Sequence, residues 1–318
     1  MKPKYIVDVA LARRAHAAIA PYNLRSPLKL STKLSECVGR PVYLKLESHQ
    51  PTGAFKVRGA LAYLLSLEGE ARRKGVVAAS AGNHALGLAW AARQVGVPAL
   101  VVVPRSAAKI KKRKLAELMV KVRVHGEGYD EAEVFARKLA EEADASFVSP
   151  YDDPWVMAGN GGTIALELLE ELGELGGVVL PVGGGGLASG LVTAMGDIPV
   201  LGVNAAASPA MALSLAEGRV YETYEGESTL AEGLEGGVSQ TSVAYCQQLW
   251  QVQQVDEAAI GRAIGFLARE ESLVAEGSAA VAVAALLEGH ELPGEGPLCV
   301  VITGRNIDAE RLKVILQA

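Results

Sequence analysis

Four short segments of this 318-residue chain carry residue types able to do chemistry. The first, Leu46-Glu47-Ser48-His49-Gln50-Pro51-Thr52-Gly53-Ala54-Phe55-Lys56-Val57-Arg58-Gly59-Ala60, sets one lysine between a Gly-containing turn and an apolar helix. A poorly solvated lysine loses its proton more easily, and its neutral amine attacks carbonyl carbon. Taken alone, the segment fits a snorkelling surface lysine better. The second is Ser80-Ala81-Gly82-Asn83-His84, between a strand ending at Ala79 and a helix beginning near Ala85. Its backbone N–H groups, hydroxyl and amide at a helix N-terminus suit a carboxylate, and also suit an ordinary N-cap by Ser80 or Asn83.

The third segment is Pro181-Val182-Gly183-Gly184-Gly185-Gly186-Leu187-Ala188-Ser189-Gly190, after an apolar strand and before an apparent helix. Glycines let the backbone close on a ligand, and the helix start adds partial positive charge, which together make a phosphate cradle. A tight strand-to-helix turn is the plainer alternative. Gly183, Gly185 and Ala188 match a G-x-G-x-x-A dinucleotide fingerprint, but the ribose-binding acid expected about 20 residues on is replaced by Asn204. A mononucleotide-sized phosphate therefore suits the run better than NAD, and an NAD-dependent oxidoreductase is the reading of a different class. The fourth segment, Val300 to Asn306, puts the Thr303 hydroxyl where a buried strand ends.

The elements that must position these groups are written in the apolar pattern. Strand-like runs occupy 42–46, 76–79, 99–103, 178–182, 200–203 and 298–302, several of them apolar at every position, as in parallel strands buried on both faces. Helical patterns lie at 57–67, 85–95, 107–119, 130–143, 163–172, 258–269 and 278–287, and loops with short helices are expected over 205–245. This alternation predicts an α/β protein with doubly wound parallel sheets. Ligands of such sheets bind at the carboxyl ends of the strands, where all four segments fall. Residues 49–146 form a compact set of strand-helix repeats. They read as a smaller inserted domain, with 1–48 and 147–318 as the larger one.

Charge and composition narrow the classes. The net charge of −5 opposes nucleic-acid binding, which needs a basic excess. The basic run Lys109–Lys114 reads as a solvated helix face. No apolar run approaches membrane-spanning length, and no apolar signal core follows Met1. Three widely spaced cysteines form neither a disulfide framework nor a zinc pattern, so a cytoplasmic enzyme without a structural metal is expected.

With these motifs in this order, the chain resembles the fold type II pyridoxal-phosphate (PLP) enzymes, serine/threonine dehydratase branch, which includes serine racemases. The resemblance runs from Ser26-Pro27-Leu28 through Lys56, 80–84, Asp152-Asp153-Pro154, 183–190 and Ala275-Glu276-Gly277 to Thr303–Asp308. It implies two open-sheet domains with the cofactor between them. Lys56 would form the internal aldimine and later remove the substrate Cα proton, with Phe55 packed on the cofactor ring. Asn83 would bond the phenolic oxygen, and Ser80, Ala81, Gly82, Asn83 and His84 would form the substrate loop. Gly183, Gly184, Gly185, Gly186 and Leu187 would bind the phosphate, Thr303 would face the pyridine nitrogen, and Glu276 would lie near the cofactor edge. A neutral threonine cannot keep that nitrogen protonated, which favours β-elimination over transamination. The resemblance thus implies a lyase acting on a small hydroxy amino acid, threonine or serine, and a homodimer or homotetramer.

Three departures bear on the substrate. Ala81 stands where serine racemases use a proton-carrying serine, so racemisation should be weak. Arg305 replaces a glycine and would pair either with a substrate carboxylate or with a structural acid such as Glu276, which leaves a specialised hydroxy amino acid (hydroxyaspartate or a hydroxyectoine product) as an alternative. Gly159-Asn160-Gly161-Gly162-Thr163 departs from the usual spacing, and Asn204 lacks the acid that would hold a divalent cation.

Overall fold

Runs that are apolar at every position become the central strands of two sheets. In this computed structural model, which describes residues 1–105, 115, 117–118 and 120–317, the larger sheet has six strands in the order β1-β2-β10-β7-β8-β9. These are β1 (Leu28–Leu30), β2 (Val42–Lys45), β7 (Gly177–Pro181), β8 (Val200–Ala205), β9 (Gln251–Val255) and β10 (Leu298–Val301). Only β1 runs antiparallel, and β10 is clasped between β2 and β7 with Leu298 opposite both Val42 and Gly177. The smaller sheet, in the order β5-β4-β3-β6, is wholly parallel: β3 (Val76–Ala79), β4 (Ala99–Val103), β5 (Lys121–Val124) and β6 (Ser146–Phe147). The boundary drawn after residue 146 runs through β6. The Lys109–Lys114 run and most of the 107–119 helical pattern lie outside the described residues.

Alternate residues of the central strands serve two cores, which is the arrangement of helices wound on both faces. On β7, Val178 and Leu180 pack with the Lys56–Ser66 and Gly186–Met195 helices, while Val179 packs with the Gly277–Leu287 helix. On the smaller sheet, Val77, Ala79 and Val102 cover Ala132, Ala136 and Ala140 of the Tyr129–Glu142 helix, and Val101 and Val103 meet Ala85 and Ala89 of the Asn83–Val95 helix. The doubly wound expectation holds for both sheets.

Helices 56–66 and 186–195, which carry the lysine and follow the glycine run, are held apart by a π-helical turn at Ala158–Gly162. Added side-chain atoms have no room at these crossings. A Cβ at Gly161 would collide with the Leu187 carbonyl, and one at Gly190 with the Met157 carbonyl. Asn160 fills the other side of the turn, its Oδ1 accepting from the Gly59 N–H at 2.9 Å in the first turn of the lysine helix. The departure in spacing at 159–163 thus corresponds to a structural joint between two helix starts.

Candidate active site

Lys56 opens its helix half-buried, and its Nζ donates to the Pro150 carbonyl at 2.7 Å, 5.1 Å from the centre of the Phe55 ring. Burial pushes its amine down to about 8, only partly opposed by the carboxylate of Glu276. Gly87 of the 83–95 helix touches the Lys56–Val57 peptide, which seats this helix start against the asparagine loop. There His84 is buried, and its Nε2 meets the Val148 carbonyl at 3.1 Å. Burial first and the charge of Lys56 second hold the imidazole down to about 3. It is therefore a neutral donor to a backbone carbonyl.

The C-terminal loop straps the lysine turn. The Ser48 N–H donates to the Ile302 carbonyl, the Phe55 N–H to the Thr303 carbonyl and the Arg305 N–H to the Gly53 carbonyl, all within 3.0 Å, and Ala54 forms an antiparallel bridge with Gly304. A Cβ at Gly304 would strike the Glu276 carboxylate. That carboxylate accepts from Asn83 Nδ2 at 2.7 Å and from the Asn306 N–H at 3.1 Å, while Asn306 Nδ2 donates to Asn83 Oδ1 at 2.7 Å and to the Thr52 carbonyl at 2.9 Å. Lys56, Asn83, Glu276 and Thr303 thus share one cluster. Thr303 is buried, and its hydroxyl is engaged by no described residue.

The glycine turn is reached through one backbone step. Pro150 accepts from Lys56, and its neighbour Tyr151 lies directly on Gly184 and Gly186, whose added Cβ atoms would stand 2.6 and 2.7 Å from Tyr151 atoms. Gly185 has φ +87°, the left-handed conformation that glycine adopts without a Cβ clash. Gly183 lies against Leu234, and Leu187 begins the buried face of the following helix. One two-residue segment therefore touches both the lysine and the glycine turn.

Beneath the lysine helix lies a buried charge network. Arg58, fully buried, forks Glu47 (2.8 and 2.8 Å) and Glu167 (2.6 and 2.9 Å), and Lys45 pairs with Glu167 at 2.8 Å and Glu171 at 3.1 Å. Burial opposes the guanidinium charge, but the two carboxylates outweigh it and raise its pKa. Ser26 and Gln50 each donate a second hydrogen bond to the same two Glu47 oxygens, at 2.5 and 3.0 Å. A buried charge is tolerated only with partners of this completeness, and here they fix the register of the helix two residues past Lys56.

Arg305 stands apart. Its side chain is exposed and forms no ion pair among the described residues, so the pairing with Glu276 weighed from sequence is not made. Tyr151, Asn306, Arg58 and Asn160 belong to the surroundings of the site without having been assigned to it from sequence. Asn306 lay inside a motif already quoted, whereas Arg58 reads as one more helical charge until the fold supplies Glu47 and Glu167.

The family model described as pyridoxal-phosphate dependent enzyme matches residues 19–304. The chain belongs to that family. It is 42% identical over 298 residues to an L-threonine ammonia-lyase of Thermotoga maritima, covering 92% of this chain and 74% of the relative. It is 33% identical to the catabolic L-threonine dehydratase of Staphylococcus aureus, covering 100% and 94%. Among solved structures, maize serine racemase superposes with a TM-score of 0.92 at 30% identity, covering 98% of each chain. The processed form of threonine deaminase isoform 2 from Solanum lycopersicum superposes with 0.87 at 32% identity, covering 99% and 95%. These neighbours place the fold in PLP fold type II, and the NAD-dependent oxidoreductase reading is set aside. The residues fit the cofactor: a turn of four glycines packed too closely on its neighbours to carry side chains, and a half-buried amine with a lowered pKa. No helix among the described residues is long and apolar enough to cross a membrane.

Proposed function

We propose that this chain is a PLP-dependent ammonia-lyase that removes water from an L-β-hydroxy amino acid of the threonine or serine type, giving a 2-oxo acid and ammonia. The observation that carries the reading is the half-buried Lys56, its amine lowered to about 8, between the Asn83–Glu276 cluster and the glycine turn. When bound, the cofactor supplies an electrophilic carbonyl carbon and a conjugated ring that takes up electrons from the Cα–H bond. Gly183 to Leu187 hold its phosphate through backbone donors, Phe55 packs against its ring and Asn83 orients its edge with Glu276. The Ser80–Gly82 loop, Asn83 and the backbone N–H of His84, at a helix start, hold the substrate carboxylate end. Lys56 Nζ, neutral in a useful fraction near pH 8, takes the Cα proton. As that proton leaves, the Cβ–O bond breaks and its electron pair departs with the hydroxyl, which takes up a proton from an acid at the site, matching the one now on Lys56, and leaves as water. The unsaturated amine then takes up water and gives the 2-oxo acid and ammonia. Thr303, being uncharged, favours this concerted departure over a long-lived carbanion.

The names of the relatives support this reading, since the threonine ammonia-lyase and dehydratase matches span nearly the whole chain. With it go a smaller unit over 49–146 between the parts of a larger one, a homodimer or homotetramer, a cytoplasmic setting and Arg305 at the mouth of the substrate site. The purified holoenzyme should release 2-oxobutanoate from L-threonine and pyruvate from L-serine, measured by coupled reduction of the 2-oxo acid. Lys56→Ala should lower kcat by about 1000-fold or more, on the order expected for loss of both covalent attachment and general base. A cofactor-loaded enzyme that gives no 2-oxo acid from any β-hydroxy amino acid would overturn the proposal.

A further inference from the structure

Asn204 sits near the end of β8 with 1% of its surface exposed, and both halves of its amide are used. Its Nδ2 donates to the Val182 carbonyl at 2.5 Å, and its Oδ1 accepts from the Ala212 N–H at 3.0 Å. Val182 is the last residue before the four glycines, and its own N–H donates to the Val203 carbonyl at 2.8 Å. The Val182 carbonyl and the Gly183 N–H belong to one planar peptide unit, so fixing the direction of the first fixes the direction of the second. With glycine following, little else restrains that peptide. The second arm of the amide holds the Ala210–Glu217 helix, whose Met211 methyl lies 2.7 Å from where a Gly185 Cβ would stand.

We infer that Asn204 is a positioning residue for the anion-binding turn: it aims the Gly183 N–H and braces the back of Gly185. The inference rests on the proposed phosphate site at Gly183–Gly186. The side-chain chemistry is specific. An aspartate of the same shape has no donor for the Val182 carbonyl and adds a negative charge behind a turn that must receive an anion. Alanine releases both arms.

The test compares pyridoxal 5′-phosphate with pyridoxal, which lacks the phosphate but still reacts with Lys56, by equilibrium binding followed through visible absorbance. Wild type should prefer the phosphorylated form. Asn204→Asp and Asn204→Ala should weaken that form about tenfold, the scale of one buried hydrogen bond, and leave pyridoxal within about twofold. Leu201→Val, in the same strand but away from the clip, should keep the wild-type ratio, with thermal melting checking that every variant is folded. Should Asn204→Ala not fold, Asn204→Ser, which retains a shorter hydroxyl donor, should show the same selective loss in weaker form. Unchanged binding of the phosphorylated form in Asn204→Asp, or equal weakening of both forms, overturns the positioning role. A wild type that does not distinguish the two forms overturns the phosphate reading of the turn itself, and the inference with it.

Discussion

Lys56 and His84 lose their protons for the same reason: the folded chain takes both out of water, and neither is given a full counter-charge. Each shift makes stability depend on pH in a calculable direction. For His84 the unfolded imidazole titrates near 6.5 and the folded one near 3, so between those values the unfolded chain binds the extra proton. Stability therefore falls as pH drops from about 6.5 towards 3. For Lys56 the unfolded amine titrates near 10.5 and the folded one near 8, so in the cofactor-free protein stability rises across that window as the pH increases. Urea unfolding of cofactor-free protein should show both slopes. His84→Asn should flatten the acid slope and leave the alkaline one, whereas Lys56→Met should flatten the alkaline slope and also narrow the acid window, because it removes the charge that helps hold His84 down. An acid slope that survives in His84→Asn would mean that other groups carry it. Arg58, two residues from the lysine, behaves oppositely because Glu47 and Glu167 surround it, and its charge persists across the range.

At the scale of elements, the decisive contact is the joint where the π-helical turn separates the lysine helix from the glycine-run helix. Gly190→Ala forces a methyl into the Met157 carbonyl, a backbone group that cannot swing aside. It should cost about 3 kcal/mol, at the upper end for overpacking, in urea unfolding. At Gly96 nothing lies near a new methyl and only the positive φ of +65° resists, so Gly96→Ala should cost about 1 kcal/mol. If the two cost the same, the joint is not tightly packed. How much of this was legible in the sequence follows burial. The strand runs at 76–79 and 99–103 read correctly because both faces of each are covered, which forces apolar residues at every position. The edge strands β5 and β9 were missed: β5 is Lys-Val-Arg-Val and β9 is Gln-Val-Gln-Gln-Val, polar where an outer strand meets water. The site was readable for a related reason. Glycines, Lys56 and Thr303 are identities that local geometry or chemistry demands, whereas Asn160 and Asn204 act through partners about 100 and 20 residues away, which no local pattern records.

For the whole molecule, the groups proposed to hold the cofactor come from both sheets. Ser80 follows β3 of the smaller sheet, while the glycine turn follows β7 and Thr303 follows β10 of the larger one. A ligand gripped from both sides binds only when both are folded, so its binding energy adds to the stability of the native chain. At about 100 times its dissociation constant, the cofactor contributes about 2.7 kcal/mol. At roughly 2.1 cal/mol/K per residue, 318 residues give an unfolding entropy near 0.67 kcal/mol/K, so this stabilisation corresponds to a rise of about 4 °C. Removing pyridoxal phosphate by dialysis against a carbonyl trap should therefore lower the melting temperature by about 4 °C, and adding it back should restore the loss. Pyridoxal, with no phosphate for the glycine turn, should restore only part at the same concentration, because it leaves the larger sheet's contribution at 183–187 unused. Full restoration by pyridoxal would place the grip at Lys56 and the asparagine loop alone and would remove the glycine turn from the site.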